Sequence, residues 1–287
     1  MTDAALIPFL DTLVWKGLAV VECMGDEEPR PTVSVIIPVR NRPDQIAQCL
    51  RSLRKLDYPR ELLQVIVVDD ASEDNTAEVV SEFQPMLLVM QEQQGPAACR
   101  NAASQEATGD VLAFVDSDCT VDDSWLSTLV PYLDIASVAA VGGAVRSLRR
   151  RSALEKYEDA MSPLNMGDSQ AEVRGDGNVP YIPTCNLLVN REAFAEVGGL
   201  DARLQLGEDV DFCYRLRDAE HRILYSPVGA VNHRHRTDFF GFLRRRFDYG
   251  TSEARLWKKH PDKRRVLFLP VLKCVFLGTF VAAVLGA

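Results

Sequence analysis

The chain lacks both common glycine-rich phosphate loops. No G-x-G-x-x-G follows the first apolar run, and G-x-x-x-x-G-K-[ST] is absent from the 287 residues. A Rossmann dehydrogenase and a P-loop NTPase are thereby disfavoured. A nucleotide here would have to be held by acids and a metal. Cys-x-x-Cys spacing is also absent. The seven cysteines (Cys23, Cys49, Cys99, Cys119, Cys185, Cys213 and Cys274) are odd in number. That argues against a zinc framework or a disulfide scaffold, and for small buried apolar thiols in a reducing compartment. Net positive charge is lacking too. A formal charge of -9 argues against nucleic acid as a partner. No signal peptide is visible, since Asp11 and Lys16 interrupt the early apolar residues and no basic region precedes them.

Two local biases stand against that background. From Arg234 to Arg265 there are 11 Lys and Arg against 4 Asp and Glu. A basic block in an acidic chain points to an anionic surface, such as membrane lipid, or to a solvated helix face. The 22 residues Val266 to Ala287 then carry one charge, Lys273, and one proline, Pro270. A span needs about 20 apolar residues. This segment is expected to be a membrane helix, with Lys258, Lys259, Lys263, Arg264 and Arg265 on its cytoplasmic side. The chain is expected at the cytoplasmic face of the membrane. A buried C-terminal helix is the alternative.

Four segments follow from pattern. Residues 1–30 read as a helical appendage and linker, 31–236 as the catalytic unit, 237–265 as a basic amphipathic segment and 266–287 as the membrane segment. Within the second, apolar strands at Val33–Val39, Val65–Val68, Met86–Met90 and Val111–Val115 alternate with helices at Arg42 to about Leu56, Ala77–Phe83 and Pro96–Ala107. That alternation predicts an α/β fold with a doubly wound, mostly parallel sheet flanked by helices. Later elements are less regular. Strands are expected over Val138–Val145, within Val173–Pro183 and over Ile223–Val231. Helices are expected at Leu154–Met161, at Glu192–Val197 before Gly198-Gly199, and at Asp209–Glu220.

The chemistry lies where strands end. Phe114-Val115-Asp116-Ser117-Asp118 places two carboxylates just past an apolar strand, where open α/β sheets bind ligands. Such a pair holds a hard divalent cation, and the cation in turn holds a diphosphate. Asp69-Asp70 ends the second strand and would bind a base or ribose, or cap the next turn. Arg100 and Asn101 follow Gly95-Pro96; Arg100 would pair with a diphosphate or with Asp70, or lie on the surface. Glu208-Asp209 would supply the base that takes a proton from an attacking hydroxyl. Either His233 or His235 would complete a metal site with Asp118. Three acidic sites suggest an enzyme that handles a nucleotide diphosphate and activates a hydroxyl. Asp116-x-Asp118-x-Thr120 also fits an aspartate-nucleophile phosphohydrolase, and a non-catalytic nucleotide-binding scaffold is a further alternative.

Taken in order, Val33-Ser34-Val35-Ile36-Ile37-Pro38, Val68-Asp69-Asp70-Ala71-Ser72, Gly95-Pro96 through Arg100-Asn101, Asp116-Ser117-Asp118, Gly198-Gly199-Leu200-Asp201 and Gly207-Glu208-Asp209-Val210-Asp211 resemble family 2 glycosyltransferases of the GT-A fold. The resemblance covers residues 32–236. It implies a mixed sheet of GT-A type and an inverting transferase using a nucleotide sugar, UDP-glucose or similar, with Mn²⁺ or Mg²⁺. By position it implies that Pro38, Arg40, Asn41, Asp70, Gly95 and Arg100 hold the donor. Asp116 would lie near the ribose and diphosphate, Asp118 and His233 at the metal, and Asp209 with Glu208 at the base. Tyr157-Glu158, Ser162-Pro163-Leu164, Tyr181-Ile182-Pro183, Arg245-Arg246 and Tyr249-Gly250-Thr251-Ser252 further resemble the mycofactocin-system glycosyltransferases. That likeness implies a peptide-derived redox cofactor as hydroxyl acceptor, with a glycan or a lipid as the other acceptor classes.

Overall fold

Val33–Val39 forms the central strand, β1, and its alternation sorts the core. Val33, Val35, Ile37 and Val39 enter one apolar cluster, whereas Ile36 enters a second on the opposite face. A computed structural model describes residues 30–148, 151–174, 179–204, 206–234 and 239–263. After β1 come α1 (Pro43–Leu53), β2 (Leu63–Asp69), α2 (Thr76–Ser81), β3 (Met86–Val89), α3 (Pro96–Glu106) and β4 (Val111–Val115). Pro43 and Pro96 stand in the first turns of their helices, where a missing N–H costs nothing. Helix α1 ends at Leu53 rather than Leu56, because the Lys55 and Leu56 amides fold back onto the carbonyls of Ser52 and Leu53. Its buried face, Ile46, Cys49, Leu50 and Leu53, packs on the β1 odd-numbered side.

The second half adds β5 (Cys119–Val121), α4 (Trp125–Leu129), β6 (Val138–Gly142), β7 (Val145–Ser147), α5 (Ala153–Met161), β8 (Ala171–Glu172), β9 (Asn186–Asn190), α6 (Arg191–Glu196), α7 (Glu208–Asp218), β10 (Arg222–Tyr225), β11 (Val231–His233) and α8 (Phe239–Lys259). The main sheet runs β3-β2-β1-β4-β9-β6-β10-β8, and a small second sheet runs β5-β11-β7. β1 through β4 are parallel, but β9 lies antiparallel between β4 and β6. The sheet is therefore mixed.

Three expectations change here. The strand expected over Val138–Val145 is two strands in two sheets, split at Gly142-Gly143. Ile223–Val231 divides in the same way into β10 and β11. No strand lies among the described residues of Val173–Pro183; the strand is β9, just downstream. Cys49, Cys99, Cys119, Cys185 and Cys213 are free and buried, as expected of apolar thiols.

Among the described residues, no helix is long and apolar enough to cross a membrane. The expected spanning segment, Val266–Ala287, and the appendage before residue 30 lie outside the described residues, as does His235.

Candidate active site

The carboxyl ends of β1, β2 and β4 open into one cavity of about 940 Å³. This is the sheet edge at which α/β folds bind ligands. Just past β4, the Cys119 amide donates to the Asp116 carbonyl at 3.0 Å and closes a tight turn. That turn presents Asp116, Ser117 and Asp118 to the cavity. Arg100 reaches it from α3. Its Nη2 donates to Asp116 Oδ1 at 2.5 Å and its Nη1 to Glu208 Oε1 at 3.3 Å, and the side chain is 2% exposed. Arg100 is thus neither a surface residue nor a partner of Asp70. It ties the acidic turn to the first residue of α7. Burial opposes its charge, but Asp116 and Glu208 more than offset that and raise its pKa.

Asp118 is held through one oxygen and approached by an imidazole at the other. Arg42 donates to Oδ2, and His233 Nε2 stands 3.5 Å from Oδ1. The pairing of β11 with β5 brings His233 there from more than a hundred residues away. Burial raises the Asp118 pKa, and the charges of His233 and Arg42 outweigh that and keep the carboxyl below its ordinary value. Asp118 Oδ1 is buried and accepts no hydrogen bond. A buried oxygen without a donor beside an imidazole fits a divalent cation.

At the other end Asp70 accepts the amides of Gln94 at 2.7 Å and Gly95 at 2.9 Å. Arg40 Nη1 donates to the carbonyls of Asp70 and Ala71, and its Nη2 pairs with Glu73 at 3.0 Å. Pro38, Arg40 and Asp70 line the cavity. Asn41 and Gly95 do not. Asn41 Oδ1 accepts the Glu73 amide, and the Asn41 amide donates to Ser72 Oγ, so Asn41 braces the loop behind the site. Gly95 contributes its N–H to Asp70. Asp69 caps the turn, accepting the amide and hydroxyl of Ser72.

Opposite the acidic turn, Gly207 adopts φ +83° and starts α7. Glu208 and Asp209 follow at once. Burial, reinforced by the neighbouring Glu208 charge, pushes the Asp209 carboxyl up to about 7. Its Oδ1 accepts the Val210 amide at 2.8 Å. Glu208 is also raised, by burial against the pull of Arg100. The helix is pinned from α8. Asp211, fully buried, meets Lys259 Nζ at 2.5 Å, His260 Nε2 at 2.8 Å and Arg215 Nε at 2.9 Å. Asn101 faces away from the cavity. It clamps the Gly198–Asp201 loop through the Leu200 amide and carbonyl.

Several lining residues were not among the expected site residues, and three of them bring polar chemistry from outside the acidic motifs. Arg245 and Tyr249 sit one turn apart on α8, and Tyr181 donates to the Pro163 carbonyl at 3.0 Å. Arg245 feels Asp116 and Glu208, which with Tyr249 raise its pKa against burial. The i, i+4 spacing of Arg245 and Tyr249 was available in sequence, but the basic block hid which arginine turns inward. Tyr181 stood out only within the Tyr181-Ile182-Pro183 motif, which did not place it in the cavity.

The sheet ends in an acid pair, and a raised carboxyl lines the same cavity. The family model described as glycosyl transferase family 2 matches residues 34–198. The pre-mycofactocin glycosyltransferase of Mycobacterium tuberculosis is 35% identical over 241 residues, 83% of this chain and 50% of that protein. Glycosyltransferase AglE of Haloferax volcanii is 32% identical, covering 79% of this chain and 74% of its own. The chain spans about half the length of the first of these. Among solved structures, the mannosyltransferase PcManGT of Pyrobaculum calidifontis, in complex with GDP-Man and Mn²⁺, superposes with TM-score 0.62 at 22% identity, covering 84% of this chain and 67% of that one. TarS of S. aureus in complex with UDP-GlcNAc superposes with TM-score 0.60 at 21% identity, covering 72% and 59%. The chain belongs to glycosyl transferase family 2. Its mixed sheet is of GT-A type.

Proposed function

We propose that the chain transfers a hexose from a nucleotide-diphosphate sugar to an acceptor hydroxyl with inversion. UDP-glucose is the first donor to test. The observation that carries this reading is the raised Asp209 carboxyl, which lines the same cavity as the Asp116–Asp118 turn. A group titrating at about 7 is suited to accept a proton near neutral pH. Asp209 takes the acceptor hydroxyl proton while that oxygen attacks the anomeric carbon. The bond from that carbon to the diphosphate oxygen breaks, and the nucleotide diphosphate leaves with the electron pair. Attack from the face opposite the leaving group inverts the anomeric centre.

Asp118 and His233 would hold Mn²⁺ or Mg²⁺. When bound, that ion supplies charge stabilisation to the departing diphosphate. Arg100 orients Asp116 and pulls against the burial that raises the Glu208 carboxyl. Arg245 offers a cation to the anionic leaving group. Pro38, Arg40 and the backbone-held Asp70 would form the nucleoside end. A peptide-derived redox cofactor of the mycofactocin type is the favoured acceptor, supported by the 35% identity to the mycobacterial enzyme.

Membrane association at the cytoplasmic face belongs to the same reading. It is supported by the apolar run after Arg265 and by exposed Phe240, Leu243, Phe247 and Trp257 on α8.

The test is calorimetry of UDP binding to the full chain with Mn²⁺ and then with EDTA, in wild type and Asp118→Ala. Metal-dependent binding lost in the variant supports the donor site and opens a screen of UDP-sugars. Binding with no transfer to any acceptor would favour a scaffold. No UDP binding in either condition, followed by none for GDP or dTDP, overturns the reading.

A further inference from the structure

We propose that Cys119 is a third ligand at the Asp118–His233 metal site, making it a carboxylate–imidazole–thiolate site that prefers Co²⁺ or Zn²⁺ over Mg²⁺. This rests on the metal reading above and goes beyond it in naming a sulfur donor and a metal preference.

Strand pairing makes the case. β5 and β11 are antiparallel, and Cys119 stands directly opposite His233. Residues directly opposite in an antiparallel pair project to the same face, with Cβ atoms about 4.5–5.5 Å apart. Asp118 immediately precedes β5, and its carbonyl accepts the amide of Arg234, the residue after β11. The ladder fixes Cys119 and His233 on one face, and the Arg234 amide holds Asp118 at the end of the same pairing. A carboxylate oxygen of Asp118, Sγ of Cys119 and a ring nitrogen of His233 lie within 4.8 Å of one another. Cys119 is 1% exposed, and Asp118 Oδ1, the oxygen nearest His233, accepts no hydrogen bond.

Donor chemistry decides the metal. A site of oxygens alone suits Mg²⁺ or Ca²⁺, whereas imidazole and thiolate together suit zinc-class ions. On binding, the Cys119 S–H bond breaks, its proton goes to solvent and the sulfur pair forms the bond to the metal. Carboxylate and thiolate then match the two positive charges of the ion. The missing Cys-x-x-Cys spacing conceals such a site, because the ladder rather than local sequence joins the ligands.

Cobalt reports sulfur ligation directly. Co²⁺ is added to the full chain in detergent, the near-ultraviolet sulfur-to-cobalt absorption is recorded, and Co²⁺ binding is measured by calorimetry. The expected result is a band in wild type, removed by Zn²⁺ and untouched by equimolar Mg²⁺. Cys119→Ser should lose the band. Cys185→Ser should keep it, although the Cys185 thiol contacts that of Cys119. The wild-type spectrum decides even if a variant fails to fold. Co²⁺ bound without a sulfur band, or a band that survives in Cys119→Ser, overturns the thiolate ligand and leaves the Asp118–His233 reading standing. No Co²⁺ bound in wild type overturns both.

Discussion

Asp209 and Arg100 are perturbed in opposite ways at the scale of single side chains, the one pushed towards neutrality by burial and the other kept charged by its partners. Asp209 must be ionised to act as base, so the rate of transfer should rise through pH 7 and level off above it. Asp209→Asn should remove that limb and lower kcat by about 10²–10⁴-fold while UDP binding is kept. The same raised value bears on stability. The unfolded carboxyl titrates at about 3.9. The folded form therefore binds more protons between that value and about 7, and stability falls as pH rises through this window. Thermal melts of Asp209→Asn should lack that decline. Arg100 acts differently, since it is buried with two carboxylates on it. Arg100→Met leaves Glu208 and Asp116 unpaired and should cost about 3–5 kcal/mol, read from the urea midpoint at constant slope. An unchanged midpoint would mean that the two pairs are not formed in solution.

Elements decide which of these residues could be foreseen. Asp116 and Asp118 were legible because β4 is a continuous apolar run ending in acids, and parallel strands advertise their ends in this way. Arg100 was visible as a residue but not as a partner, because nothing local says that α3 lies against the start of α7. β9 was missed because Asn186-Leu187-Leu188-Val189-Asn190 is short, and its antiparallel place between β4 and β6 comes only from long-range pairing. Asn186 is held there by Trp125 Nε1 at 2.8 Å and by the carbonyls of Ala144 and Gly229, partners from three separate loops and helices. Gly207 tests how α7 is seated. Its φ of +83° disfavours any side chain, and a Cβ would meet Leu256 Cδ1 at 2.7 Å. Gly198 has a similar φ of +77° with open space around it. Gly198→Ala should therefore show backbone strain alone, about 1 kcal/mol, and Gly207→Ala should cost more and lower kcat by shifting Asp209. Equal losses of stability in the two variants would refute the Leu256 contact.

Over the whole molecule, basic charge and exposed aromatic side chains coincide on α8. On α8 the inward side carries Arg245, Tyr249, Ser252 and Leu256, which line the cavity. The outward side carries Phe240 at 82% exposure and Phe247 at 73%, with Leu243 and Trp257 on the same side and exposed Arg244, Arg255 and Lys258 around them. Spacings of three and four residues put these apolar groups on one stripe. Such a helix suits the boundary of an anionic bilayer, with rings in the acyl region and guanidinium groups at the phosphates. The apolar run from Val266 follows within a few residues. The stripe should act without that run. A chain ending at Arg265 is expected to float with phosphatidylserine vesicles and to be released by salt. Replacing both Phe240 and Phe247 with Glu should lower its partition by at least about tenfold, since each ring contributes roughly 1.5–3 kcal/mol when removed from water. UDP binding should survive, because both side chains face away from the cavity. Equal flotation of the two proteins would show that α8 does not touch the bilayer. Loss of UDP binding together with flotation would show that the stripe packs on the protein instead.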